Sequence, residues 1–167
     1  MAARRSSALT VTTPSDREIV MTREFDAPRE LVFDAHRKPE HMARWWGPRG
    51  YEMRVSEMDF RPGGSYRFVH TAPDGAEYGF KGEYREIVPP ERIVWTFEFE
   101  GMPGQVSVGT LTLAEEDGKT ILTSTSVFDS VEERDAMLAT GMESGAAESY
   151  DRLAELLEDL HAGESNA

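Results

Sequence analysis

Apolar and polar residues alternate through the middle of this chain, and the spacing becomes helical on either side of that region. Residues 16–25 are rich in β-branched and apolar side chains and predict a first strand ending near Phe25. A helix follows: Pro28 suits its start, Glu30 falls in the first turn where the helix dipole favours an acid, and Leu31, Val32 and Ala35 share a face. Pro39 opens a second short helix, which Gly47-Pro48 ends just after Trp45 and Trp46.

Turn signals then punctuate a long β region: Pro62-Gly63-Gly64, Asp74-Gly75, Pro89-Pro90, Pro103-Gly104 and Asp117-Gly118. Between them the pattern predicts six strands, over 51–60, 65–71, 77–87, 92–99, 105–115 and 119–128, forming an antiparallel meander. Ser130 and Glu133 stand at capping-box spacing before a short helix that Gly141 stops. A last helix, 142–160, carries Met142, Ala146, Tyr150, Leu153, Leu157 and Leu160 along one stripe. The predicted fold is α+β: a curved, seven-stranded antiparallel sheet wrapped around a long C-terminal helix, with two short helices after the first strand. One domain over 16–161 is expected between flexible tails at 1–15 and 162–167.

On three adjacent strands the inward positions are aromatic. Tyr66, Phe68 and His70 share one face, Tyr78, Phe80 and Tyr84 the next, and Trp95, Phe97 and Phe99 the third. Such rows either pack as core or line a cavity; the Tyr hydroxyls and the His imidazole, which need partners when buried, favour a cavity.

The charge narrows the partners. With 18 Lys and Arg against 31 Asp and Glu the net charge is −13, which disfavours nucleic acids and anionic membranes. The absence of cysteine removes thiol chemistry and Cys-based zinc sites. With no signal-peptide pattern and no apolar run of membrane-spanning length, a cytoplasmic location is expected. His36 and His41 lack the spacing of a metal motif, and His161 lies in the tail, so no metal is expected. No glycine-rich phosphate loop or nucleophile elbow is found, and no cofactor is expected. His70, with Tyr66, Tyr78, Tyr84, Glu83 and Asp59 nearby in sequence, is the available acid or base, but no catalytic residue is assigned.

The segments REFDAPRELVFDAHRKPEHMARWWGPRGY, DFRPGGSYRF, PDGAEYGFKGEYREIVPPERIVWTFEF and GMESGAAESYDRLAELL resemble the Aha-type branch of the START-like (SRPBCC) helix-grip superfamily, over residues 17–160. That branch takes its name from the C-terminal domain of the activator of the heat-shock protein 90 ATPase. The resemblance implies a cavity between sheet and C-terminal helix for a small hydrophobic molecule: a lipid, sterol or polyketide. Trp45, Trp46, Tyr66, Phe68, His70 and Tyr78 are expected around it, with Phe80, Trp95, Phe97, Met142, Ala146 and Tyr150. One ring of the Trp pair is expected in the core and the other at one end of the cavity; the alternative is that both are structural. Related sequences carry an aromatic residue, often Trp, where this chain has Ala146, which implies a larger or differently shaped pocket.

Two other readings stay open. One is a modulator of a bacterial heat-shock protein 90, although the two-domain eukaryotic activators have an N-terminal domain that fifteen leading residues do not supply. The other is a cyclase or dehydratase acting on an aromatic polyketide. Either a monomer or a homodimer is compatible with the sequence.

Overall fold

The computed structural model describes residues 9–165. Its elements run β1 (Thr10–Thr12), β2 (Glu18–Phe25), α1 (Arg29–Arg37), α2 (Pro39–Trp45), β3 (Glu52–Met58), β4 (Ser65–Thr71), β5 (Glu77–Val88), β6 (Arg92–Phe99), β7 (Val106–Glu116), β8 (Lys119–Val127), α3 (Val131–Ala139) and α4 (Met142–Ser165). All the strands join one antiparallel sheet in the order β1-β2-β8-β7-β6-β5-β4-β3. Only β2 to β8 departs from a simple meander, and that pairing brings the first long strand beside the last.

The sheet has eight strands where seven are expected from sequence. The additional one, β1, lies in the stretch expected to be a flexible tail and pairs Val11 with Met21 on the outer edge of β2. Three residues are too few to show a period, and this strand is held by main-chain pairing with a neighbour. At the other end α4 continues to Ser165, through part of the expected C-terminal tail. Residues 1–8 and 166–167 of the two expected tails lie outside the described residues.

Two register shifts bend the sheet, between Val55 and Glu57 in β3 and between Tyr84 and Glu86 in β5. An extra residue on one strand sharpens the local twist, so the sheet curls around α4 and does not lie flat against it. Near one end the curl is filled by Phe25, Leu31, Val32 and Phe33 against Leu153, Leu156 and Leu157, all buried. Each such side chain stabilises the fold by roughly 1.5–3 kcal/mol when fully buried. Towards the start of α4 the apolar stripe thins to Ala146 and Gly145, and there the helix stands off the sheet.

α3 begins as its capping box predicts, with the Ser130 hydroxyl accepting the Glu133 N–H at 3.1 Å. It buries none of its residues fully. Two strand glycines mark places where a ring crosses the backbone. A Cβ on Gly109 would sit 2.6 Å from the Trp95 ring, and one on Gly82 would collide with the Thr96 carbonyl and meet the Tyr66 hydroxyl. Gly82 thereby lets Tyr66 donate to the Thr96 carbonyl at 2.6 Å.

Candidate functional site

The Trp-Trp-Gly-Pro segment leaves α2 as a strap that α4 clasps. The Trp46 N–H still donates to the Met42 carbonyl, 3.0 Å, and the chain then turns at Gly47 with φ +122°. Ser149 on α4 donates its hydroxyl to the Trp45 carbonyl and accepts the Gly47 N–H, both at 3.0 Å. Arg152, one turn further on, donates to the Gly47 carbonyl at 2.9 Å and to the Arg44 carbonyl at 2.8 Å. These donors satisfy carbonyls that the end of a helix otherwise leaves without partners.

The two tryptophans have different surroundings. Trp45 is 2% exposed, donates its indole N–H to the Ala35 carbonyl at 2.9 Å and stacks on Tyr150 at 5.8 Å. Trp46 is half-buried and points at the aromatic rows, its ring meeting Phe68 and Phe80 edge-on at 5.2 Å and His70 at 4.8 Å. The ring nitrogen Nε2 of His70 lies 3.0 Å from the Trp46 carbonyl, an acceptor, so that nitrogen carries the proton and donates. Burial lowers the His70 pKa, against the raising effect of that hydrogen bond. The imidazole is therefore neutral at pH 7 and ties the strap to β4.

Between the strap, the sheet and the first turns of α4 lies a cavity of about 440 Å³. Trp46, His70, Tyr78, Phe80, Phe97 and Phe99 form its aromatic wall. Phe80 is nearly parallel to Phe97 and Phe99, at 23° and 26°. Met142, Ala146, Ser149 and Tyr150 form the helical side, and Trp45 and Trp95 close the deep end. Met102, Met137, Thr140 and Pro48 also contribute lining side chains. Tyr66 and Phe68, expected at the same site, do not reach this cavity. They line a neighbouring void of about 80 Å³ with His36, Phe60 and Tyr84, on the far side of the tryptophans.

Where the sheet continues from the aromatic wall through β7, β8 and β2, the cavity carries residues that the alternation did not single out: Ser107 from β7, Ser124 and Ser126 from β8, and Ile19 and Met21 from β2. Among the described residues no Asp, Glu, Lys or Arg lines the cavity. Burial pushes the Tyr150 phenol up to about 12, against a hydrogen bond with Ser124 that lowers it. His70 and Tyr150 are thus both uncharged at pH 7. Among the described residues no group of three or more His, Cys, Asp or Glu could hold a metal ion, and no helix is long and apolar enough to cross a membrane.

His36, beside the smaller void, gives a pH signature. Its Nδ1 donates to the Val32 carbonyl at 2.8 Å, and its ring meets Trp45 at 5.0 Å. Burial lowers its pKa from 6.5 to about 4, with the hydrogen bond opposing the shift. In the unfolded chain it protonates below about 6.5, so between there and about 4 the unfolded state holds more protons than the folded one. Stability is therefore lost as the pH is lowered through that window, by about 3 kcal/mol from this residue. Urea unfolding at pH 7 and pH 4.5 should show His36→Gln losing less stability on acidification than the parent protein; equal losses would assign the acid sensitivity elsewhere.

A curved antiparallel sheet gripping a long helix, with an apolar cavity between them, defines a helix-grip protein. A family model described as "Activator of Hsp90 ATPase homolog 1-like protein" matches residues 26–158, and the chain belongs to that family. Solved structures agree. A Rhodobacter sphaeroides protein is 26% identical with a TM-score of 0.86, the match covering 92% of this chain and 99% of that one. The protein CV1439 from Chromobacterium violaceum is 32% identical with a TM-score of 0.77, covering 86% of this chain and 99% of its own. An AHSA1 protein from Silicibacter pomeroyi shares the fold at 21% identity and a TM-score of 0.70, covering 84% of this chain and 97% of its own. A comparison with curated proteins returns no match.

Proposed function

We propose that this protein binds a small hydrophobic molecule in the cavity between sheet and α4. The observation that carries the reading is the cavity itself: its volume of about 440 Å³ falls within the range of small-molecule sites, roughly 300–1,000 Å³, and its lining is mostly aromatic and aliphatic. Membership of the family is compatible with ligand binding.

A ligand that binds only the folded state raises its stability by about 2.7 kcal/mol at a hundred times its dissociation constant. For a domain of this size that is a rise in melting temperature of about 5–10 °C. A panel of fatty acids, sterols and flavonoids should contain at least one class that produces such a shift. Native mass spectrometry of protein purified from its own host should show an adduct that organic extraction removes. A flat panel together with a clean unliganded mass would sink the proposal.

The chaperone-modulator reading draws on the description of the family, and we rank it second. It predicts a changed ATPase rate when this protein is added to a bacterial heat-shock protein 90, whereas a ligand-carrying module leaves that rate unaltered. The cyclase or dehydratase reading asks His70 for a proton. The Nε2–H of that ring is already given to the Trp46 carbonyl, which supports positioning ahead of acid–base chemistry.

A further inference from the structure

The serines on the strands beside the aromatic rows have no evident structural purpose. Ser124 and Ser126 alternate with outward-facing threonines on β8, so their side chains point inward about 7 Å apart. Ser126 stands opposite Gly109 and Ser124 opposite Leu111, while Ser107 is two residues before Gly109 on the same face of β7. Ser107 and Ser124 are only 5% and 4% exposed. Inward strand positions at such burial ordinarily carry apolar or β-branched residues, because a buried hydroxyl without a partner is costly.

Partners within the protein account for only part of this row. Ser124 lies near the Tyr150 phenol and lowers its pKa against the effect of burial. The hydroxyls of Ser107 and Ser126 have no hydrogen-bond partner among the described residues, and both residues line the cavity. Ser107 is thus a buried polar group aimed into an apolar chamber. With Ser124, Ser126 and Tyr150 it makes a hydroxyl row that adjoins the near-parallel rings of Phe80, Phe97 and Phe99, Ser107 being the cross-strand partner of Phe97.

Resting on the cavity-binding reading, we propose that the ligand is an uncharged, planar, multi-ring molecule carrying hydroxyl or carbonyl oxygens along one edge. Its flat face lies on the aromatic wall, where rings offset-stack. Its oxygenated edge lies along Ser107, Ser124, Ser126 and Tyr150, whose hydroxyls both donate and accept. Among the described residues no Lys or Arg lines the cavity to receive a carboxylate or phosphate, so an anionic lipid headgroup finds no counter-charge there. A site whose buried hydroxyls need partners discriminates against an analogue that lacks the matching oxygens. The hydroxyl row is thus the specificity determinant and the aromatic wall the general source of affinity.

Three probes test this at pH 7 by titration calorimetry: 1,8-dihydroxyanthraquinone, which has three of its four oxygens along one edge, the bare ring system anthracene, and palmitate. The dihydroxy compound is expected to bind at least tenfold more tightly than anthracene, and palmitate more weakly still. In the double variant Ser107→Ala/Ser126→Ala its affinity should fall about tenfold while that of anthracene is unchanged. Because the two hydroxyls lack protein partners, the melting temperature of the variant should not drop. Equal affinities for the two ring compounds, both indifferent to the double variant, would overturn the hydroxyl-edge assignment and leave cavity binding standing. Binding of palmitate alone would overturn the ring class, again leaving the cavity reading intact. Binding of none of the three would remove both.

Discussion

Gly47→Ala should destabilise the protein by about 2–6 kcal/mol, the sum of a backbone strain of about 1–3 kcal/mol and overpacking of similar size. Position 47 has φ +122°, a conformation that residues with a side chain rarely adopt. A Cβ built there lies 2.6 Å from Nε2 of His70, the atom that donates to the Trp46 carbonyl. The methyl group must therefore displace either the imidazole or the strap, and with the strap goes the anchorage from Ser149 and Arg152. A melting temperature lower by about 5–15 °C is the expected result. Gly63→Ala is the control: φ there is +86°, but nothing lies within 4 Å, so only the backbone cost of about 1–2 kcal/mol applies. If the two variants lost the same amount, the contact with His70 would not be what makes glycine necessary at position 47.

Ala146→Trp should abolish ligand binding while the protein stays folded. Ala146 lines the cavity from α4, half-buried, next to Gly145, whose nearest neighbour is Pro48 at 4.0 Å from a built Cβ. An indole there extends into unoccupied volume. Filling a void costs little when no packed group has to move, so the melting temperature without ligand should stay within about 2 °C of the parent or rise. The shift of about 5–10 °C expected from a saturating ligand should vanish. An undiminished shift would mean that the ligand sits elsewhere, and a collapsed melting temperature would mean that the volume beside Ala146 is already needed by its neighbours.

Most of the fold could be read from the sequence because its elements are long and bounded by turn chemistry. The Tyr66, Phe68 and His70 alternation, the Asp117-Gly118 turn and the Ser130 cap each use short-range rules, and β4, the β7–β8 turn and α3 follow them. β1 could not be read, since a three-residue strand owes its existence to the edge it pairs with. The extension of α4 beyond Leu160 was hidden because its apolar stripe ends before the helix does.

The serine side of the cavity was not legible in the sequence. The segment Lys119 to Val127 alternates threonine and serine with a few aliphatics, so both faces look half-polar and the pattern does not say which hydroxyls turn inward. Pairing β8 between β2 and β7 decides it, and that is a long-range fact. Tyr66 and Phe68 show the converse error. They share a face with His70, but the curl of the sheet carries them past the tryptophans into the smaller void. A row of residues on one strand face fixes direction and leaves depth undetermined.

The chain contains three tryptophans, and all of them, Trp45, Trp46 and Trp95, stand on the wall of the larger cavity. Indole emission shifts to shorter wavelength when water beside the ring gives way to an apolar occupant, and it is quenched by an absorbing ligand stacked within a few ångströms. With no indole elsewhere to dilute the signal, the intrinsic spectrum of this protein is an optical record of whether its interior is wet, empty or filled.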